Sequence, residues 1–333
     1  GLGMAQVVSA LKPLDPWGFG VAAVEEGLEL RSLGFPGPVL VCSPAPPLSY
    51  GPAVRADLIL SISHLQGLER LKDAARQEGR RGRFHLEVDT GMGRAGLDWR
   101  QMGEWREPLE EILGPEPSWE GVFTHFHSAD ATGERPTIQQ WERFQRVTRR
   151  LAGSAADLLV HACNSPAALR RPDFAADAVR PGIFLYGGTA GEGLQAPFAV
   201  ASLKARVVLL KEVPKGSTLG YGATHAASRQ ERWATVAIGY GDGLPRLLSN
   251  RGEAMVQGRR APIVGRISMD VTVLDVTEVP GVKTGDVVTF FGSCDGGEIP
   301  VDEVAAHAET ISYEVLTGLT RRLPRIWMDN DGY

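Results

Sequence analysis

Residues able to move protons or hold anions are concentrated in a few short strings of this chain. The densest is Phe84-His85-Leu86-Glu87-Val88-Asp89-Thr90-Gly91-Met92-Gly93-Arg94-Ala95-Gly96. Period-two alternation puts His85, Glu87 and Asp89 on one strand face and Phe84, Leu86 and Val88 on the other. A carboxylate on an inward face requires a cation, and Arg94 in the following loop is the expected partner of Glu87, with a surface ion pair as the alternative. The string also contains Gly-x-Gly-x-x-Gly after a strand, the formal mark of a dinucleotide fold. No acidic residue stands convincingly about 20 positions on, which argues against that reading. Thr124-His125-Phe126-His127, with Asp130 close behind, has the His-x-His spacing of half a divalent-metal site. Only His161 is a good third ligand, so hydrogen-bonded site histidines are expected rather than a metal centre.

Two later strings, His161-Ala162-Cys163-Asn164-Ser165 and Val179-Arg180-Pro181-Gly182-Ile183, offer a hydroxyl and free backbone N–H groups, a combination that suits a phosphate. Ser165-Pro166 also reads as a helix N-cap with proline at the first helical position. Both can hold, because a cap and an anion site draw on the same orphan donors. Further on come Leu219-Gly220-Tyr221-Gly222-Ala223-Thr224, Ile238-Gly239-Tyr240-Gly241-Asp242-Gly243, Gly265-Arg266-Ile267-Ser268-Met269-Asp270 and Ile311-Ser312-Tyr313-Glu314. Tyrosines flanked by glycine are displayed on loops, and singly each is more often a turn aromatic than a catalytic group.

The elements that must position these groups alternate strictly in the first half. Strands are predicted at Phe19 to Val21, Val39 to Cys42, Leu58 to Ser61, Phe84 to Val88, Trp119 to Thr124, Leu158 to Ala162 and Ala178-Val179. Helices are predicted at Met4 to Leu11, Val24 to Leu33, Leu65 to Glu78, Met102 to Leu113, Ile138 to Leu151 and Ala167 to Arg171. Such alternation implies parallel strands with crossover helices, and an active site at the strands' C-terminal ends. Closing a barrel takes eight strands, and the chain opens on a helix that should follow one, so the first strand of an α/β, (β/α)8 TIM-like barrel is expected to lie before Gly1. After Tyr186-Gly187-Gly188 the pattern turns mainly β, with strands at Ser202 to Val213, Arg232 to Ile238, Arg260 to Val264, Val271 to Asp275 and Asp286 to Phe291, and a last helix at Val301 to Leu319. Domains are therefore expected at 1–196 and 197–333, joined within Gly188 to Ala196, with no internal repeat.

Composition narrows the function classes. At roughly 150 residues per domain, 333 residues make about two domains, and 43% hydrophobic with 23% charged residues is ordinary globular usage. With 35 basic and 40 acidic residues and no basic block, an electrostatic nucleic-acid footprint is not expected. No run approaches a membrane span and no signal peptide is recognisable, so a cytoplasmic location is expected. Cys42, Cys163 and Cys294 are far apart, which argues against a disulfide framework or thiolate zinc site. The first methionine is Met4, after Gly1-Leu2-Gly3, so an upstream segment is expected.

Taken in order, these strings resemble alanine racemases, pyridoxal 5'-phosphate (PLP) enzymes built of an eight-stranded α/β barrel followed by a β domain. The match also includes Gly18-Phe19-Gly20-Val21-Ala22, Phe184-Leu185-Tyr186-Gly187 and Ala261-Pro262-Ile263-Val264, and so spans nearly the whole chain. The resemblance implies interconversion of L- and D-alanine for peptidoglycan. It implies that Asn164, Ser165, Gly182, Ile183 and Tyr313 bind the cofactor, chiefly its phosphate. Arg180, supported by His161, would face the pyridine nitrogen. A guanidinium does not give up its proton, so that nitrogen would stay unprotonated and reprotonation at Cα would be favoured over transamination. Two opposed bases are needed, and the family uses the tyrosine matching Tyr221 and a Schiff-base lysine. An unperturbed phenol ionises near about 10, so the tyrosine needs help, for which His125 and Arg180 are candidates. Arg94, Met269 and Asp270 would contact substrate, and Tyr240 would narrow the entrance. Tyr221 and Met269 would reach the partner's barrel in a homodimer with shared sites.

Two departures stand out. Many members carry a carbamylated lysine seven residues before the arginine matching Arg94; here that place is Glu87, which supplies a carboxylate without modification. The Schiff-base lysine belongs to a Lys-Ala-x-Ala-Tyr-Gly string that would end near Gly1. None of Lys12, Lys72, Lys204, Lys211, Lys215 and Lys283 follows a predicted barrel strand, so these residues alone are expected to be inactive. The alternatives are a serine or broader-specificity racemase of the same fold, a catalytically inactive paralogue and, more distantly, a metal-dependent hydrolase.

Overall fold

Short β-branched runs bounded by glycine and proline become the parallel strands of a first unit, Met4–Gly182 with Ala190–Gln195, in a computed structural model that describes residues 2–113, 117–151 and 157–328. The strands are β1 (Phe19–Val21), β2 (Val39–Val41), β3 (Ile59–Ile62), β4 (Gly82–Asp89), β5 (Leu97–Asp98), β6 (Pro117–Phe123), β7 (Leu159–Asn164) and β8 (Ala178–Arg180). They pair in parallel in the order β1-β2-β3-β4-β6-β7-β8, with the two-residue β5 beside β4. This is the sheet of a (β/α)8-type barrel. Among the described residues β1 and β8 are not paired with each other. The seven predicted strands are all present, and β5 was not expected.

The helices are α1 (Met4–Leu11), α2 (Val24–Ser32), α3 (Tyr50–Arg55), α4 (Leu65–Glu78), α5 (Met102–Ile112), α6 (Arg135–Leu151) and α7 (Ser165–Arg170). α4 shows how they are specified. His64 Nδ1 accepts from Gly67 N at its start, Leu68, Leu71, Ala74 and Ala75 form its buried stripe, and Gly79 ends it at φ +61°. α3, hidden in sequence by Gly51-Pro52, forms because proline is tolerated in a first turn. β2 and β3 are buried at every position, as strands covered on both faces must be.

The second unit comprises residues 2–3, Ile183–Thr189 and residues 196–328 of the description; residue 1 and residues 329–333, the outer limits of the expected domains, lie outside it. Its strands are β9 (Leu203–Val213), β10 (Thr218–Leu219), β11 (His225–Ala226), β12 (Glu231–Val236), β13 (Glu253–Val256), β14 (Arg259–Pro262), β15 (Thr272–Asp275), β16 (Val287–Cys294) and β17 (Gly297–Ile299). The antiparallel order is β14-β13-β16-β9-β12-β15, with β17 on β16 and β10-β11 as a separate hairpin. The single predicted helix from Val301 to Leu319 is instead two, α8 (Val301–His307) and α9 (Ser312–Thr317), because Glu309 between them takes φ +53°. No described helix is long and apolar enough to cross a membrane.

Leu68 is fully buried in the barrel unit's core. Leu68→Ala is expected to lower its unfolding free energy by about 2–5 kcal/mol, whereas exposed Glu69→Ala should stay within about 0.5 kcal/mol, as read by urea denaturation. Equal effects would contradict the assigned helix face.

Candidate active site

Parallel strands present their C-terminal ends together, and the polar residues of the barrel unit gather there. Alternation along β4 turns His85 and Glu87 inward, where both are buried. The expected Glu87–Arg94 ion pair is absent among the described residues. Glu87 Oε2 instead accepts from Ser63 Oγ at 2.6 Å. Burial raises the Glu87 carboxyl above its ordinary pKa, outweighing the Ser63 bond and the positive charges of Arg94 and Arg180. Asp89 explains where Arg94 goes. Its carboxylate accepts from Gly91 N at 2.8 Å and Gly93 N at 3.0 Å, folding the loop into a tight turn on which Arg94 is exposed. The loop glycines answer to this turn: Gly93 has φ +71°, and a Cβ on Gly96 would lie 2.6 Å from Asp89 N. The loop leads to β5 rather than a helix, and Asp89 already takes two of its N–H groups, so the dinucleotide pattern has no anion site.

Arg180, the last residue of β8, is paired in register with Asn164 of β7. Its Nη1 donates to His161 Nδ1 at 2.6 Å; Nη2 donates to the carbonyls of Thr124 at 2.9 Å and Ala162 at 3.1 Å. His125 Nδ1 lies 3.4 Å from the same Nη2. The guanidinium sits over the Phe123 ring, 5.3 Å from its centroid. His161 is stacked on that ring and bonded through Nε2 to His85 Nδ1 at 2.9 Å. All three histidines are held neutral: burial, then the nearby arginine charges, lowers His85 to about 3 and His125 to about 4, and pushes His161 well below 6.5. His127 diverges from His125; it is exposed, with Nδ1 2.6 Å from Ser128 Oγ. Among the described residues no three His, Cys, Asp or Glu side chains could hold a metal ion together.

The N-cap of α7 is Asn164, not Ser165. Asn164 Oδ1 accepts from Ala167 N at 3.2 Å, leaving buried Ser165 Oγ to accept from Gly182 N at 2.8 Å. A Cβ built on Gly182 would meet nothing within 4 Å, so the backbone beside that hydroxyl is open. In the second unit, buried Ile183 and Ser312 both pack on Gly188, and Tyr313 follows Ser312 on α9, where it is half-exposed. Two loops of that unit are pressed together: Tyr240 N donates to Ser268 O and Gly241 N to Met269 O, an approach possible because a Cβ on Gly239 would lie 2.2 Å from Ser268 O. This brings Tyr240, Met269 and Asp270 to one place, with Asp270 bonded to Arg322 at 2.7 Å. Tyr221 is 71% exposed on the β10–β11 turn, where Gly222 lies against the Arg266 guanidinium.

Sequence reasoning missed the groups that brace this end of the barrel. Ser63 was passed over, and so was Gln140, which binds Thr90 Oγ1, the carbonyl of His125 and the N–H of His127. A signal for Gln140 exists. It is a long polar side chain in the apolar stripe Thr137, Gln140, Phe144, Val147 and Leu151 of α6.

Comparison with known proteins places these features in a wider set. Residues 1–190 match the family model described as the N-terminal domain of alanine racemase, and residues 200–327 the model of its C-terminal domain. An alanine racemase of Sorangium cellulosum is 40% identical over 349 residues, covering 99% of this chain and 89% of that protein. Alanine racemase 2 of Caldanaerobacter subterraneus subsp. tengcongensis is 39% identical over 313 residues, covering 92% and 80%. The crystal structure of the biosynthetic alanine racemase from Pseudomonas aeruginosa superposes with a TM-score of 0.87 at 34% identity, covering 99% of this chain and 89% of that one.

A histidine whose folded pKa is depressed takes its proton first in the unfolded chain. Stability from His85, His125 and His161 is thus intact above about 6.5 and is lost as pH falls towards the folded values. Urea denaturation between pH 7 and 5.5 should show stability falling, with the slope approaching about 1.4 kcal/mol per pH unit for each histidine. His85→Asn should remove one proton from the slope. A pH-independent stability over this range would contradict the burial of neutral imidazoles.

Proposed function

Because the chain belongs to the alanine racemase family, we propose that it interconverts L-alanine and D-alanine with PLP and supplies D-alanine for peptidoglycan. It is a PLP-dependent isomerase by family. The observation that carries the reading is Arg180. Of its five N–H hydrogens, those on Nη2 meet Thr124, Ala162 and His125 and one on Nη1 meets His161, while the second on Nη1 and that on Nε have no acceptor among the described residues. Such a group suits an unprotonated ring nitrogen. The phosphate also finds a donor in the Ser165 hydroxyl, which accepts from Gly182 N and lies beside open backbone.

In this reading Asn164, Ser165, Gly182, Ile183 and Tyr313 would hold the phosphate end, and Arg180 would face the ring nitrogen. When bound, PLP supplies the electron-withdrawing ring that makes a substrate Cα–H acidic. Arg180 keeps its own proton, so it would hold the nitrogen without charging it. Tyr221 carries a proton to or from one face of Cα. Neutral His125, its Nδ1 turned to Arg180, has its hydrogen on Nε2 and would donate it to the tyrosine oxygen, favouring the ionised phenol. Arg94 and Glu87 supply charge at the barrel mouth; Arg94, Met269 and Asp270 meet the substrate carboxylate side, and Tyr240 lines the entrance. The enzyme is proposed to be a homodimer whose barrels are each completed by the partner's Tyr221 and Met269, in keeping with the exposure of both residues. The second base is a lysine. None of the six lysines in these 333 residues stands at the C-terminal end of a described barrel strand, so this polypeptide alone is proposed to be inactive.

Protein expressed from its natural reading frame should convert L-alanine to D-alanine, and Tyr221→Phe should lower kcat by about 10²–10⁴-fold. The 333-residue polypeptide should show no enzymatic turnover alone. Once sedimentation shows that the two associate, mixing it with the Tyr221→Phe protein should restore activity, since a mixed dimer holds one site with both bases. Mixed dimers that stay inactive would refute shared sites, and turnover by the 333-residue chain alone would refute the need for a further lysine.

A further inference from the structure

The hydrogen bonds from Arg180 to His161 to His85 have one possible direction. A guanidinium has no acceptor, so His161 Nδ1, 2.6 Å from Arg180 Nη1, must accept. Neutral His161 then carries its hydrogen on Nε2, which faces His85 Nδ1 at 2.9 Å. That nitrogen accepts in turn, so neutral His85 is the Nε2–H tautomer. Its Nε2 is buried with no hydrogen-bond partner among the described residues. The opposite tautomer of His161 would set Nδ1–H against Nη1–H, two donors with no bond between them. Room for the His85 ring is kept by Gly121, where a Cβ would lie 2.7 Å from His85 Cε1 and 2.8 Å from Nδ1. His161 is 2% exposed, so an unmet Nε2–H there would have no water to turn to.

We propose that His85 is a positioning residue for Arg180: by accepting from His161 Nε2 it fixes the His161 tautomer and keeps Nδ1 as the standing acceptor for the guanidinium. The inference rests on the reading of Arg180 as the group that meets the PLP ring nitrogen. Without His85, the His161 anchor, one of the acceptors that set the rotation of the guanidinium, is released.

The chain labelled with 15N-histidine tests this by long-range 1H–15N correlation, which shows which ring nitrogen carries the hydrogen. His85 and His161 should both be neutral Nε2–H tautomers at pH 7, and a hydrogen on Nδ1 of His161 overturns the inference. His85→Asn puts an amide oxygen near the place of Nδ1 and should preserve the His161 tautomer, with PLP affinity within threefold. His85→Leu offers no acceptor and should populate the Nδ1–H form and weaken PLP binding at least tenfold. Should the leucine variant not fold, the unsubstituted and asparagine chains decide: a switch of His161 to Nδ1–H in His85→Asn overturns the lock. Arg180→Ala separates the two claims. If it weakens PLP binding while His85→Leu does not, the inference fails and the role of Arg180 stands. If it leaves PLP binding unchanged, the role of Arg180 fails and the inference falls with it.

Discussion

A guanidinium set into the polar end of a parallel barrel must be met by acceptors that do not themselves become charged, and the first unit is arranged around that requirement at Arg180. Two of its acceptors are carbonyls, of Thr124 and Ala162, and two are imidazoles, buried His161 and the more distant His125. An imidazole serves only while neutral. Burial together with the positive charge of Arg180 keeps His161 in that state, so the group that needs the acceptor also helps to preserve it. A carboxylate in the same place would bind more strongly, but it would neutralise the arginine and weaken its donation to anything else. Imidazole leaves the guanidinium charged and, among the described residues, two of its N–H groups uncommitted.

The rest of the barrel end follows from this choice. Phe123 supports the Arg180 guanidinium and the His161 ring. Gly121 leaves space for His85 two residues earlier on the same strand. Gln140 reaches from α6 to the His125 carbonyl and the His127 N–H, fixing the backbone from which His125 faces Arg180. Glu87 is the one carboxylate buried nearby among the described residues, and its bond to Ser63 leaves the guanidinium to its neutral partners. In the β unit the analogous constraint is close backbone approach: Gly239 and Gly241 let the Tyr240 turn sit against Ser268 and Met269.

Much of this was legible in sequence where local rules suffice. The period-two pattern of β4 put His85 and Glu87 on one face, where both are buried, and α4 was bounded at Leu65 and Glu78 because its apolar stripe ends at a glycine. What failed depends on partners distant in sequence. Arg94 stands in the loop that follows β4, but Ser63, just after the neighbouring strand β3, reaches Glu87 first. The break between α8 and α9 falls at Glu309, a residue with no local signal for a left-handed backbone. β14 was expected as the strand from Arg260, but its hairpin partner β13 was not, because β13 has only four residues and turns at Gln257-Gly258, both at positive φ.

The central claim is that Arg180, anchored by a neutral imidazole, is the cofactor's ring-nitrogen partner, and a crystal structure of the protein with PLP tests it most directly. The account expects an Arg180 N–H within about 3 Å of the ring nitrogen while Nη1 remains on His161. A ring nitrogen facing a carboxylate, with Arg180 turned away from it, would contradict the account.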